Sequence, residues 1–160
     1  MNPNTAVWLF LSVQAVGIAL WLTLAALNNL RDFAGSAAAV GATMAMQPLA
    51  QEPRIPTPLF SRALRSASLH RGALAALLLL QALGAALGWI GCHALLIQGD
   101  LAAARPWLNG ALAFMSAALL AMHLSGLWFG YWIRQETLQL THIALLLWTG
   151  VAFLLFNLIP

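Results

Sequence analysis

Charge is what this 160-residue chain has least of. Asp, Glu, Lys and Arg make up 7% of it, against about 25% in a soluble domain. That is too little to coat a water-facing surface, and a soluble enzyme is excluded. Lysine is missing altogether, and the seven arginines and four acids leave a net charge of +3 and a pI near 10.6. The high pI reflects few charges of mostly one sign, so no nucleic-acid partner is expected. A single cysteine, Cys92, excludes a disulfide framework and any cysteine-built zinc or iron–sulfur cage. Asp32, Glu52, Asp100 and Glu136 are scattered over four separate places, so a catalytic carboxylate pair could form only by folding of the first loop. Cys92 and His93 are adjacent, which on a helix points them about 100° apart, and no acid follows to activate them. There is no phosphate-binding glycine loop. The reading is that the chain is not an enzyme.

What is present is apolar. Hydrophobic residues are 62% of the chain and the mean hydropathy is +0.84. A membrane span needs about 20 mainly apolar residues to cross roughly 30 Å of hydrocarbon. Four stretches qualify, at 7–27, 72–97, 108–133 and 138–158, and none contains Asp, Glu, Lys or Arg. The expected fold is all-α: one integral membrane domain over 1–160, a four-transmembrane-helix bundle with a long first loop. Asn28-Asn29 closes the first span, and Arg31-Asp32 reads as an interfacial charge pair. The first span has no basic leader and exceeds the apolar core of a signal peptide (about 7–15 residues), so it is expected to be retained.

Within the first loop, 35–46 suits a short helix at the membrane surface or packed over the bundle. Pro48, Pro53, Pro56 and Pro58 make the next stretch extended. Thr57 then suits an N-cap, and 59–65 an amphipathic interfacial helix leading into the second span. Six arginines, Arg31, Arg54, Arg62, Arg65, Arg71 and Arg134, flank the first and third loops, and only Arg105 lies on the other side. The positive-inside rule places those two loops in the cytoplasm.

Four histidines are candidates for ligand chemistry. A haem held between spans needs two imidazoles at nearly equal depth. With the third span ending at residue 133, His123 sits about 15 Å and His142 about 6 Å below one face. His70 precedes the second span at that face and is the nearest match to His142, while His93 lies near the opposite face. Unequal depths favour interhelical hydrogen bonds, with Ser125, Gln14 or Gln81 as partners for His123. Gly84-x-x-x-Gly88 and Gly126-x-x-x-Gly130 present small residues at the spacing that lets helices approach closely.

These features point to a non-catalytic accessory or interaction subunit of a bacterial inner-membrane complex, or an immunity-type membrane protein. The expected partners are the lipid bilayer and a larger membrane protein or further copies of the chain, with no cofactor or metal. The alternative is a redox anchor binding haem b or quinone through His70, His123 and His142, beside Trp128, Tyr131 and Trp132.

Asn28-Asn29-Leu30-Arg31-Asp32-Phe33 resembles a motif of bacterial predicted small integral membrane proteins, domain-of-unknown-function family 2165. Leu69-His70, Trp89-Ile90-Gly91-Cys92 and 126–132 (Gly-Leu-Trp-Phe-Gly-Tyr-Trp) are similar too. The resemblance covers nearly the whole chain. It implies the four-span fold, a Met-Asp pair where this chain has Met46-Gln47, and an external first loop, against the arginine count. It implies no activity.

Overall fold

The computed structural model describes residues 3–158, so the outermost residues of the expected domain, 1–2 and 159–160, lie outside it. Helix α1 runs Pro3–Arg31, α2 Phe33–Met44, α3 Gln47–Ala50, α4 Ala67–Leu96, α5 Leu101–Trp128 and α6 Glu136–Leu158. Among the described residues, α1, α4, α5 and α6 are long and apolar enough to cross a membrane. The protein is an all-helical, four-span membrane protein.

The spans pack because small residues let backbones meet. A Cβ on Gly84 would lie 3.1 Å from Leu22 and 3.2 Å from Phe114, and one on Gly88 3.1 Å from Ala19. Gly91 receives Leu108, and Gly110 receives Leu87. The core threaded through these contacts includes Leu11, Ile18, Leu22, Leu95, Met115, Leu119 and Phe156.

The same pairs fix the register. Ala19 meets Gly88, Leu22 meets Gly84, Asn29 bonds Gln81 at 2.9 Å, and Gly41 lies against His70. Partner numbers on α4 fall steadily as numbers on α1 and α2 rise. α1 and α2 therefore run one after the other along α4, antiparallel to it, as one passage broken at Asp32. At the break Asp32 leaves helical geometry (φ −119°, ψ 58°) and its carboxylate caps α2, accepting the Gly35 N–H at 3.0 Å.

This revises the first loop. Asn28-Asn29 does not end the first passage, and the helix in 35–46 belongs to α2, laid against α4. The amphipathic helix expected over 59–65 shrinks to a 3₁₀ turn, Pro58–Arg62, capped by Thr57. The turn stops because Ala63 is extended (φ −62°, ψ 125°) and the Leu64 N–H bonds the Met44 carbonyl at 2.9 Å instead of a carbonyl of its own helix. Residues 46–63 instead fold as a cap over the end of α5, with Met46, Leu49 and Phe129 buried together and Ile55, Leu59 and Phe60 around them.

The register also sets depth. Leu108 meets Gly91, so Arg105 lies near the level of Ala94. From there to the level of Arg71 is about 34 Å at helical rise, close to the hydrocarbon thickness of about 30 Å. On this scale Arg31-Asp32, at the end of the first candidate span, lies near the level of Leu79, about 12 Å along α4 from Arg71.

Candidate functional site

The α5–α6 turn is built on two glycines. α5 stops at Trp128 because Gly130 takes the left-handed conformation, φ +68°, which a residue with a Cβ rarely adopts. A 3₁₀ turn, Tyr131–Ile133, follows and folds Tyr131 back along α5. The ring fits because position 126 has no side chain: a Cβ on Gly126 would lie 2.8 Å from it. Gly126 and Gly130 thus serve a turn and a ring seat, and not the helix-packing face expected of them. Gly84 and Gly88 do sit where α1 and α5 cross α4.

Ending the helix at residue 128 changes the histidine geometry. His123 is now about 7.5 Å from the end of α5 and His142 about 9 Å from the start of α6, near-equal depths. Their ring centroids lie 6.5 Å apart at an interplanar angle of 89°. Tyr131 completes the cluster. Its hydroxyl shares a 2.6 Å hydrogen bond with His123 Nδ1, and its ring stacks on His142 at 5.9 Å and 24°. His142 is 6% exposed, and its Nδ1 is enclosed with no hydrogen-bond partner. An unsatisfied buried polar atom of this kind calls for an explanation.

The partners expected for His123 are occupied elsewhere. Gln81 accepts from Asn29, Gln14 accepts from the Trp148 indole at 2.8 Å, and Ser125 bonds the Met122 carbonyl. The tyrosine that does bond it, Tyr131, is 2% exposed. His70, the expected companion of His142, bonds the Leu64 carbonyl at 2.9 Å and packs on Gly41. His93 is exposed on the last turn of α4. The cluster that forms is His123, Tyr131 and His142.

Among the described residues no three His, Cys, Asp or Glu side chains are grouped as metal ligands would be. Haem b does not fit between the two imidazoles either, since the three ring centroids stand 5.9–6.5 Å from one another and the Tyr131 ring fills the space beside the gap that the macrocycle would need.

A second polar group lies at the α1–α2 break. Asn29 turns inward to Gln81, whereas Asn28, Arg31 and Asp32 are exposed. Among the described residues neither the Asn28 amide nor the Arg31 guanidinium has a hydrogen-bond or ion-pair partner. Three other arginines near this end have partners: Arg62 lies 4.5 Å over the Trp128 ring, Arg54 5.3 Å over Phe60, and Arg134 bonds the carbonyls of Pro48, Gln51 and Pro53, while Arg65 and Arg71 are exposed like Arg31. The motif is plain in the sequence but its place along α4 is not, because α2 has only 12 residues, too few to be recognised as a span.

No curated protein and no solved structure matches the chain. One family does, over residues 8–159, described as "Predicted small integral membrane protein (DUF2165)". With nearly the whole chain matched, four apolar spans in place and the Asn28–Asp32 motif at a helix break, the protein belongs to that family of small integral membrane proteins.

Proposed function

We propose that the protein is a non-catalytic interaction subunit of the bacterial inner membrane, acting through lateral helix contact. The observation that carries this reading is the exposure of Asn28, Arg31 and Asp32 at the α1–α2 break, beside α4 and about 12 Å along it from Arg71. A charged side chain at the centre of a membrane helix is disfavoured by roughly 2.5–3.5 kcal/mol on insertion scales. Such groups are found facing protein or a water-filled cavity, paired with one another or with carbonyls. Here they face outward, so the surface that satisfies them belongs to another chain. Extraction in a mild detergent is expected to yield a defined complex larger than one 17.1 kDa chain. A monomer under several mild detergents and in polymer-excised native discs would overturn the proposal.

The unpaired His142 Nδ1 favours a second reading, a redox anchor whose buried imidazole bonds a quinone oxygen. Addition of a short-chain quinone to the purified protein is expected, on this reading, to give a saturable shift in the quinone's ultraviolet spectrum, lost in His142→Ala. An unchanged spectrum removes it. A Soret band in the purified complex, lost in His123→Ala, would contradict the geometry that leaves no room for haem.

A further inference from the structure

The polar residues at the α1–α2 break are arranged to meet themselves. On a helical wheel, successive residues turn by about 100°, and the Asp32 N–H still bonds the Asn28 carbonyl at 3.1 Å, which keeps position 32 in the register of α1 and sets Arg31 and Asp32 on either flank of one exposed stripe. Asn28 falls between them, and so does Leu24, which is 57% exposed one turn above. A two-fold axis along the membrane normal keeps depth unchanged and carries each flank of the stripe across to the opposite flank of the partner. Arg31 of one copy then lies beside Asp32 of the other, twice over. Asn28 lies on the axis, where its amide can donate to and accept from its own copy.

Resting on the interaction role above, we infer that the surface covering this stripe is a second copy of the same chain, joined through Leu24, Asn28, Arg31 and Asp32. Charge complementarity selects that occupant. The stripe offers one cation and one anion at a single depth, which a two-fold copy matches completely. An anionic lipid headgroup would satisfy Arg31 and repel Asp32. The capping role of Asp32 is compatible with the contact, because only one carboxylate oxygen accepts the Gly35 N–H.

Cysteine cross-linking in native membranes tests this, in a Cys92→Ala background. Leu24→Cys is expected to form a disulfide with its own copy. Leu79→Cys, 59% exposed on α4 and at a similar depth, is expected not to. Arg31→Gln and Asp32→Asn should each lower the Leu24→Cys yield at least fivefold. Asn at position 32 still accepts the Gly35 N–H, so this variant keeps the α2 cap. Arg31→Asp and Asp32→Arg should each abolish the cross-link alone and restore it when the two are co-expressed. No cross-link at position 24, or equal yields in the neutralised variants, overturns the inference. An adduct at position 24 only with a different protein overturns the second copy and leaves the interaction role standing. No adduct of either kind, from a chain that also purifies as a monomer, overturns both.

Discussion

Gly88→Leu is expected to unseat α1 from α4. A Cβ at this position would lie 3.1 Å from Ala19 Cβ and 3.3 Å from Ala19 Cα, with Ala111 behind at 3.7 Å. The neighbour is partly backbone, so no side-chain rotation relieves the contact and one helix must move. Overpacking a tight site costs typically 1–3 kcal/mol. A whole leucine between two helices belongs at the upper end, about 3 kcal/mol, and Leu22 on Gly84 would be dislodged with it. Gly72→Leu is the control, because nothing lies within 4 Å of a Cβ there, and its stability should stay within about 0.5 kcal/mol of the parent. Reversible unfolding in mixed micelles measures both. Equal stabilities for the two variants would show that α1 does not seat on Gly88.

That contrast shows what the sequence could and could not disclose. Apolar length alone located four spans, because insertion depends on composition over about 20 residues. It could not separate two identical small-residue spacings. Gly84 and Gly88 are helical throughout and lie under neighbouring helices. Gly130 is in the left-handed region, and its motif ends a helix. The apolar run Trp128–Ile133 hid that stop, since hydropathy reads straight through a turn made of Phe, Gly, Tyr and Trp. Moving the end of α5 back by five residues brought His123 level with His142. A glycine followed by an aromatic pair, with Arg134 beyond, was the available signal for a helix end.

The α1–α2 break was hidden for a related reason. Asn28-Asn29 followed by Arg31-Asp32 reads as the edge of a membrane when depth is inferred from polarity. Depth is instead set by neighbours. The Asn29–Gln81 bond places the motif beside a residue well inside α4, and twelve uncharged residues of α2 carry the passage onward. A polar segment between two apolar helices can be a loop or a break inside the bilayer. The contacts on α4 show α2 continuing along the same helix as α1, and they are not encoded in the local sequence.

Arg134→Ala should release the cap that residues 46–63 form over the end of α5. The prolines explain why one arginine matters so much. Pro48, Pro53, Pro56 and Pro58 have no backbone N–H to offer, so this segment cannot satisfy its carbonyls by folding into a helix. The Arg134 guanidinium supplies three of the missing donors, to Pro48 at 3.3 Å, to Gln51 at 3.2 Å and to Pro53. A hydrogen bond from a charged donor contributes about 1.5–3 kcal/mol when well buried. These are partly solvated, so their joint loss is set at about 2–4 kcal/mol of local stability. The Ile55 amide, bonded to Leu49 O at 3.1 Å, reports on it directly. Its hydrogen exchange should quicken on the order of 100-fold, the equivalent of about 2.7 kcal/mol. Trypsin should also cut faster after Arg54. Lysine at position 134 keeps the charge on one nitrogen and loses the planar fork, so Arg134→Lys should fall between the two. The unfolding of the four spans should be unchanged in all three proteins, because the cap's buried cluster of Met46, Leu49 and Phe129 is separate from the bundle core. Exchange at Ile55 that is no faster in Arg134→Ala would show that the apolar cluster alone holds the cap in place.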